Sequence, residues 1–187
     1  MINDIRNKKN LEESIDELRT ISHKYLEKYN ASKQQLRIYL LKKSLNKKLN
    51  ITNKKELLKL IDIVISTLEE KKILNDQLFS DIKTKSYLRK GYSLNKIRYS
   101  LIKKGIADKY IKETLLSIQD DNTDTDLFSA MKTCKRRRIG PIRNEDNRTI
   151  FYKKDIGILA RSGFSHEISK KVLSMSKKEF EELYKII

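Results

Sequence analysis

Three serines set the terms on which this chain folds. Ser32 opens the run KQQLRIYLLKK, Ser93 opens LNKIRYSLIKK, and Ser165 opens HEISKKVLSM. Serine is a preferred helix cap, because its hydroxyl accepts a backbone N–H that the first turn leaves without a partner. Ser32 with Gln35, and Ser176 with Glu179, also have the spacing of a capping box, in which the longer side chain reaches back to the cap. The eighth residue after each of the three serines is apolar: Leu40, Leu101 and Leu173. The fourth is Leu36 and Ile97 in the first two runs; in the third it is Ser169, with Ile168 one place early. A cap followed by apolar residues on this spacing starts an amphipathic helix, and its recurrence marks a divergent internal repeat.

Helical signals dominate elsewhere too. Leu57, Ile61, Val64 and Leu68 form one stripe, as do Ile111, Leu115 and Ile118, and Phe180, Leu183, Tyr184 and Ile187. Gly91, Gly105 and Gly163 fall where helices should stop. No Asn-Gly or Asp-Gly turn separates alternating runs, so hairpins are not expected. The expected fold is all-α. A short helical unit cannot bury its apolar face alone, so the units should stack into an elongated, curved array of three tandem three-helix repeats. Residues 1–10 read as a flexible arm, 11–75 as the first repeat and 76–119 as the second. Residues 120–187 read as the third, with a basic loop and a C-terminal helix. Asp120, Asp121, Asp124 and Asp126 form an acidic seam ahead of the third repeat, and Gly140-Pro141 marks its loop.

Few residues offer chemistry. His23 and His166 stand far apart, and neither has a Cys or His at ligand spacing. Cys134 precedes four basic residues, which would lower its pKa, but a small side chain on a basic helix is the favoured reading. There is no Gly-rich phosphate loop and no serine nucleophile elbow. Asp120 and Asp121 sit among polar residues and read as a solvated linker. The expectation is a protein without catalysis, cofactor or metal. No apolar run approaches the roughly 20 residues of a spanning helix. Met1 to Asn10 is polar and lacks a secretory core, and a lone cysteine suits a reducing compartment, so a cytoplasmic location is expected.

Charge is the stronger signal. Lys and Arg total 42 against 25 Asp and Glu, a formal net charge of +17. Such a chain attracts polyanions and repels its own copies, which argues for a monomer. The cations cluster. Lys28 to Lys59 is opposed by Glu56 alone, and Phe79 to Lys112 by Asp81 and Asp108 alone. Lys132, Lys135, Arg136, Arg137, Arg138 and Arg143 occupy a stretch with no acid between Leu127 and Asn144. Gathered on one face, these would bind phosphates and release condensed counterions. Many of the lysines could instead solvate helix faces. Tyr87, Tyr92 and Tyr99 interleave with Arg89, Lys90 and Arg98. They could stack on bases, but covering a thin core is the favoured reading.

The middle run also carries a family likeness. Asp76, Phe79, Gly91, Ile97, Arg98, Leu101, Lys104, Gly105 and Ile106 hold the places of a pattern typical of the RecX family of RecA regulators. Residues 74–106 resemble that family's central segment. RRRIGPIR (Arg136 to Arg143) and RSGFS (Arg161 to Ser165) resemble its C-terminal segments, and Tyr29 to Lys43 is similar to its opening helix. The likeness covers roughly residues 15–175. Ser80 departs from it, standing where the family has Ala, and so does Ser100, where an acidic residue is common. The resemblance implies a non-enzymatic regulator that docks along the RecA filament on single-stranded DNA. It implies that the regulator lowers the filament's ATP turnover and strand exchange, and so bears on recombination, DNA repair and the SOS response. Charge clustering names the contact residues: Arg89, Lys90, Arg98, Lys103, Lys104, Lys135, Arg136, Arg137, Arg138 and Arg143. The alternative is a general basic helical nucleic-acid-binding protein with no RecA partner.

Overall fold

A computed structural model describes the backbone of residues 2–47, 53–119 and 124–185. Among these residues every regular element is helical. In chain order they are α1 (Ile2–Leu26), α2 (Lys33–Lys47), α3 (Lys54–Glu70), α4 (Asp76–Arg89), α5 (Leu94–Ile102), α6 (Asp108–Gln119), α7 (Thr125–Arg137), a 3-10 turn (Gly140–Ile142), α8 (Glu145–Arg161), α9 (His166–Ser174) and α10 (Lys177–Tyr184). Residues 2–10, expected as an arm, have helical backbone within α1. Asp120 and Asp121 lie outside the described residues, and so does Ile187.

The serine caps form as their spacing predicts. Ser93, Ser165 and Ser176 accept the backbone N–H of Lys96, Ile168 and Glu179. Ser32 accepts from Gln35 N at 3.2 Å while Gln35 Oε1 accepts from Ser32 N at 3.2 Å, a complete reciprocal box. The apolar register holds as well: Leu40, Leu101 and Leu173 are all buried, as are Leu36, Ile97 and Ser169. Ser169 keeps the buried place without an apolar group by donating its hydroxyl to Ser165 O at 2.8 Å.

Packing groups the helices into two compact units. The first holds the chain through Phe79 together with Lys104–Ala107. Its core joins one face each of α1, α2 and α3: Leu18 and Ile21, then Leu36 and Leu40, then Leu57, Leu60, Ile61, Val64, Ile65 and Leu68. The stripe read from α3 is therefore its buried face. Each such side chain contributes about 1.5–3 kcal/mol by leaving water, which is what holds helices of this length together. Tyr25 and Tyr39 stack at 4.0 Å at the edge of this core.

The second unit holds Ser80–Lys103 and Asp108–Ile187. Its core gathers Leu127, Ala130, Met131 and Cys134 of α7 with Leu159 of α8, Val172 and Leu173 of α9, and Phe180 of α10. Ser80, a departure from the family pattern, is fully buried, and the Thr114 hydroxyl lies 3.0 Å from its own. Ser100 donates to Lys96 O at 2.7 Å within its helix.

One device is built once in each unit. In the first, the Ser32 hydroxyl donates to Lys104 O at 2.5 Å, and the first N–H of α2, Lys33 N, donates to Asp76 Oδ1 at 2.9 Å. In the second, the Ser93 hydroxyl donates to Ser162 O at 3.0 Å, and the first N–H of α5, Leu94 N, donates to Asp126 Oδ1 at 2.8 Å. In both, the residue after the accepting carbonyl is a glycine with positive φ, Gly105 at 75° and Gly163 at 87°. A Cβ on Gly105 would fall 2.3 Å from Gln34 Cβ, and one on Gly163 would fall 2.4 Å from Ser93 Oγ. Only glycine fits, on backbone and on space alike. Burial raises the pKa of Asp76 and Asp126 above the ordinary 3.8, and the helix N–H that each accepts partly offsets the rise.

Candidate functional site

Helix α7 carries Lys132, Lys135 and Arg136 at positions i, i+3 and i+4, which puts them on one side of the helix. The C-terminal end of α4 brings Arg89 and Lys90 beside them, and Tyr184 of α10 closes the recess, whose volume is about 420 Å³. Two contacts hold this end of α4 against α7. Thr133 donates its hydroxyl to Gly91 O at 2.7 Å, and Arg136 donates to Lys90 O. A Cβ at Gly91 would meet Ser129 O at 2.9 Å, so the missing side chain is what lets the two segments approach.

The recess is lined by five cations and one tyrosine, with no carboxylate. Among the described residues none of the five enters an ion pair with an acid. Cations gathered this way repel one another, and an anion between them relieves the repulsion. Lys135 is held by an aromatic partner instead, its Nζ lying 3.9 Å above the Tyr184 ring.

The ten residues selected by charge clustering therefore divide. Arg89, Lys90, Lys135 and Arg136 line the recess. Arg137 and Arg138 are exposed at the end of α7, where Arg138 adopts the left-handed cap conformation at φ 53°. Arg98 is paired with Asp108 at 2.8 Å on an exposed face, and Lys103 Nζ lies 4.7 Å above the Tyr99 ring. Lys104 belongs to the first unit, where its carbonyl accepts from Ser32. Arg143 serves the fold. Its Nε and Nη2 each lie 2.8 Å from an oxygen of Asp155, which is 1% exposed and also accepts from Gly140 N at 2.9 Å. This fork anchors the Gly140–Ile142 turn, and the hydrogen bonds that Arg143 donates to Asp155 raise its pKa.

Cys134 is also different from what its basic neighbours suggest. Its side chain points into the core and is fully buried. Burial, reinforced by the Asp155 charge, pushes its pKa up to about 12. The charges of Lys135, Arg136 and Arg137 face away, so the thiol is an inert core group. Tyr87 and Tyr92 stack on each other at 5.2 Å, with Lys96 over Tyr92 at 4.2 Å. Only Tyr99 of the three tyrosines is largely exposed.

Sequence reasoning left two lining residues out of the site. Lys132 had a visible signal, being three and four residues from Lys135 and Arg136 on a helix. Tyr184 had none, because nothing local says that α10 returns to α7. A larger cleft of about 770 Å³ lies among α8, α9 and the start of α10. Of its two cations, Arg148 and Lys153, the first is committed to Glu145 and to the carbonyls of Leu173 and Met175. Among the described residues no group of His, Cys, Asp and Glu is placed to hold a metal ion, and no helix is long and apolar enough to cross a membrane.

Fold and site together define a class: a protein all-helical among its described residues, with a carboxylate-free cationic recess. Comparison with known proteins makes the class specific. The chain is 29% identical over 155 residues to the regulatory protein RecX of Myxococcus xanthus, with 80% of each chain covered. It is 32% identical over 113 residues to RecX of Agrobacterium fabrum, covering 60% of this chain and 58% of that one. It is 32% identical over 116 residues to RecX of Clostridium tetani, covering 62% and 52%. The matches to the latter two thus span little more than half of their length. No family model matches, and no solved structure matches. These three matches support the RecX family for this chain.

Proposed function

We propose that this protein binds the RecA filament on single-stranded DNA and restrains its ATPase and strand exchange, thereby affecting recombination and DNA repair. The observation that carries this reading is the match to RecX over 80% of the chain. The reading places the protein in the cytoplasm, acting as a monomer and without catalysis. On this reading the chain is built from three helical repeats, each containing one of the three serine-capped helices α2, α5 and α9. No chemistry is required. A binder that prefers one state of a filament shifts the filament toward that state by its differential affinity. Arg89, Lys90, Lys135 and Arg136, with Arg137 and Arg138 nearby in sequence, supply the electrostatic contact to a nucleoprotein surface. Arg143 contributes by fixing the turn that follows them.

The test is RecA ATP turnover on single-stranded DNA, titrated with this protein. Turnover should fall as the protein is added and level off at saturation. Unchanged turnover up to saturation removes the reading. The free cationic recess favours a second reading, a general nucleic-acid binder with no RecA partner. That reading predicts equal affinity for bare strands and for RecA-coated strands, whereas the first predicts tighter binding to the coated strand.

A further inference from the structure

We infer that the outward faces of α2 and α5 are two equivalent seats for an acidic amphipathic helix of a protein partner, one seat in each compact unit. The inference goes beyond the reading above. It uses neither the cationic recess nor nucleic acid, and its test needs no filament.

The two helices agree at positions their cores do not use. Counted from the caps Ser32 and Ser93, the fifth residue is Arg37 or Arg98, the sixth Ile38 or Tyr99, the ninth Leu41 or Ile102, and the tenth Lys42 or Lys103. Each arginine is tied within its own unit, Arg37 to Asp62 at 2.7 Å and Arg98 to Asp108 at 2.8 Å. The apolar places face water: Ile38 is 44% exposed, Tyr99 59% and Ile102 50%, with Leu41 at the edge of the first core. Leu45, seven residues after Ile38 and 57% exposed, extends the stripe on α2. In α9 the buried fourth and eighth places recur as Ser169 and Leu173, but the sixth and ninth are Lys171 and Ser174. Lys171 there meets Asp124 at 3.1 Å. A serine-capped helix therefore packs without an apolar outer face, and two of the three carry one. An apolar stripe with one-turn spacing, left in water, fits the matching stripe of another helix. The flanking charge selects an acidic one. Lys42 and Lys103 stand beside the stripes, and among the described residues neither has an acid partner. Lys103 is kept at the rim by the Tyr99 ring, 4.7 Å away. A second copy of this chain is a poor occupant, because it brings the same lysines and a formal net charge of +17.

The experiment titrates the full chain with a synthetic glutamate–leucine helix whose leucines lie on one face. A scrambled peptide of the same composition and vesicles of anionic lipid are the comparison probes. Three variants are compared with the unaltered protein. Ile38→Ser with Leu45→Ser alters the first seat, and Tyr99→Ser with Ile102→Ser alters the second. Leu116→Ser with Ile150→Ser removes exposed apolar groups elsewhere. All six side chains are exposed, and circular dichroism melts confirm that each variant is folded. Calorimetry should find two striped peptides bound per unaltered chain and one per seat variant. With both seats altered, affinity should fall at least about tenfold, while the Leu116 and Ile150 variant keeps both sites. The scrambled peptide should bind about tenfold more weakly than the striped one. Equal binding of the two peptides overturns the seats, because charge alone then explains the attraction. So does an equal loss in the Leu116 and Ile150 variant, or no binding of the striped peptide. Vesicle binding that the seat variants abolish, with peptide binding unchanged, overturns the protein partner in favour of a lipid surface.

Discussion

Arg136 and Arg143 sit in one basic run, RRRIGPIR, and the fold gives them different partners. Arg143 is a fifth exposed at its side chain and gives its fork to a carboxylate that is 1% exposed. Arg136 is exposed, has no acidic partner among the described residues, and stands beside four other cations. The first neutralises a buried acid; the second donates to the Lys90 carbonyl and has no acid to neutralise. A charge count along the chain treats them alike. What separates them is whether an acid arrives from elsewhere in the fold, and Asp155 does so only because α8 runs back past the Gly140–Ile142 turn.

The comparison breaks most visibly at Arg143. Arg143→Ala leaves Asp155 buried with Gly140 N as its remaining partner. Removing one member of a buried pair strands the other charge and costs about 3 kcal/mol. The urea midpoint of the variant should fall accordingly, while Arg136→Ala should move it little. If the two variants lose the same stability, the fold does not distinguish the two arginines and the division drawn here fails.

A second test uses Cys134, whose pKa Asp155 helps to raise. With the folded value near 12 and an ordinary value of 9.0, the native thiol keeps its proton where the unfolded one has lost it. The fold binds the proton more tightly, so stability is fully present below pH 9.0 and declines as pH rises from there toward about 12. In native protein at pH 8 the thiol should resist a disulfide reagent, and in urea it should react at once. Rapid native labelling would mean that the basic residues, not the core, govern Cys134.

How much of this could be read in the sequence follows from the range of each interaction. The helix caps at Ser32, Ser93, Ser165 and Ser176 are local, since each hydroxyl reaches three residues along, and they were legible. So were the buried stripe of α3 and the shared register of Leu40, Leu101 and Leu173, which follow from helical period alone. The second bonds of Ser32 and Ser93, to Lys104 O and Ser162 O, were not legible. Nor was the use of Asp76 and Asp126, although Asp126 stands in an acidic seam and Asp76 in a family pattern. Those partners lie tens of residues away, and no period encodes them. The candidate site divides the same way. Lys135 and Arg136 declared themselves by charge, whereas Tyr184 looked like one more member of a core stripe. Its contact with Lys135 depends on where α10 packs.

Arg98 lies between the two extremes and gives the finest test. It is paired like Arg143 but exposed like Arg136: it meets Asp108 at 2.8 Å with both side chains about half in solvent. Asp108 has a second partner, Lys112 at 2.9 Å. Its carboxyl is held below the ordinary 3.8, first by the Lys112 hydrogen bond and only afterwards by Arg98. A lowered carboxylate contributes stability above its ordinary pKa, and that contribution is lost as pH falls through the lowered value. Arg98→Ala should therefore leave the urea midpoint at neutral pH unchanged within error, because exposed pairs contribute little. It should also leave most of the depression at Asp108 in place, whereas Lys112→Ala should release it. NMR titration of the Asp108 carboxyl reads both variants directly. A full return of Asp108 to its ordinary value in Arg98→Ala would move Arg98 to the side of Arg143, as a fastening, and remove it from the cations free to meet a polyanion.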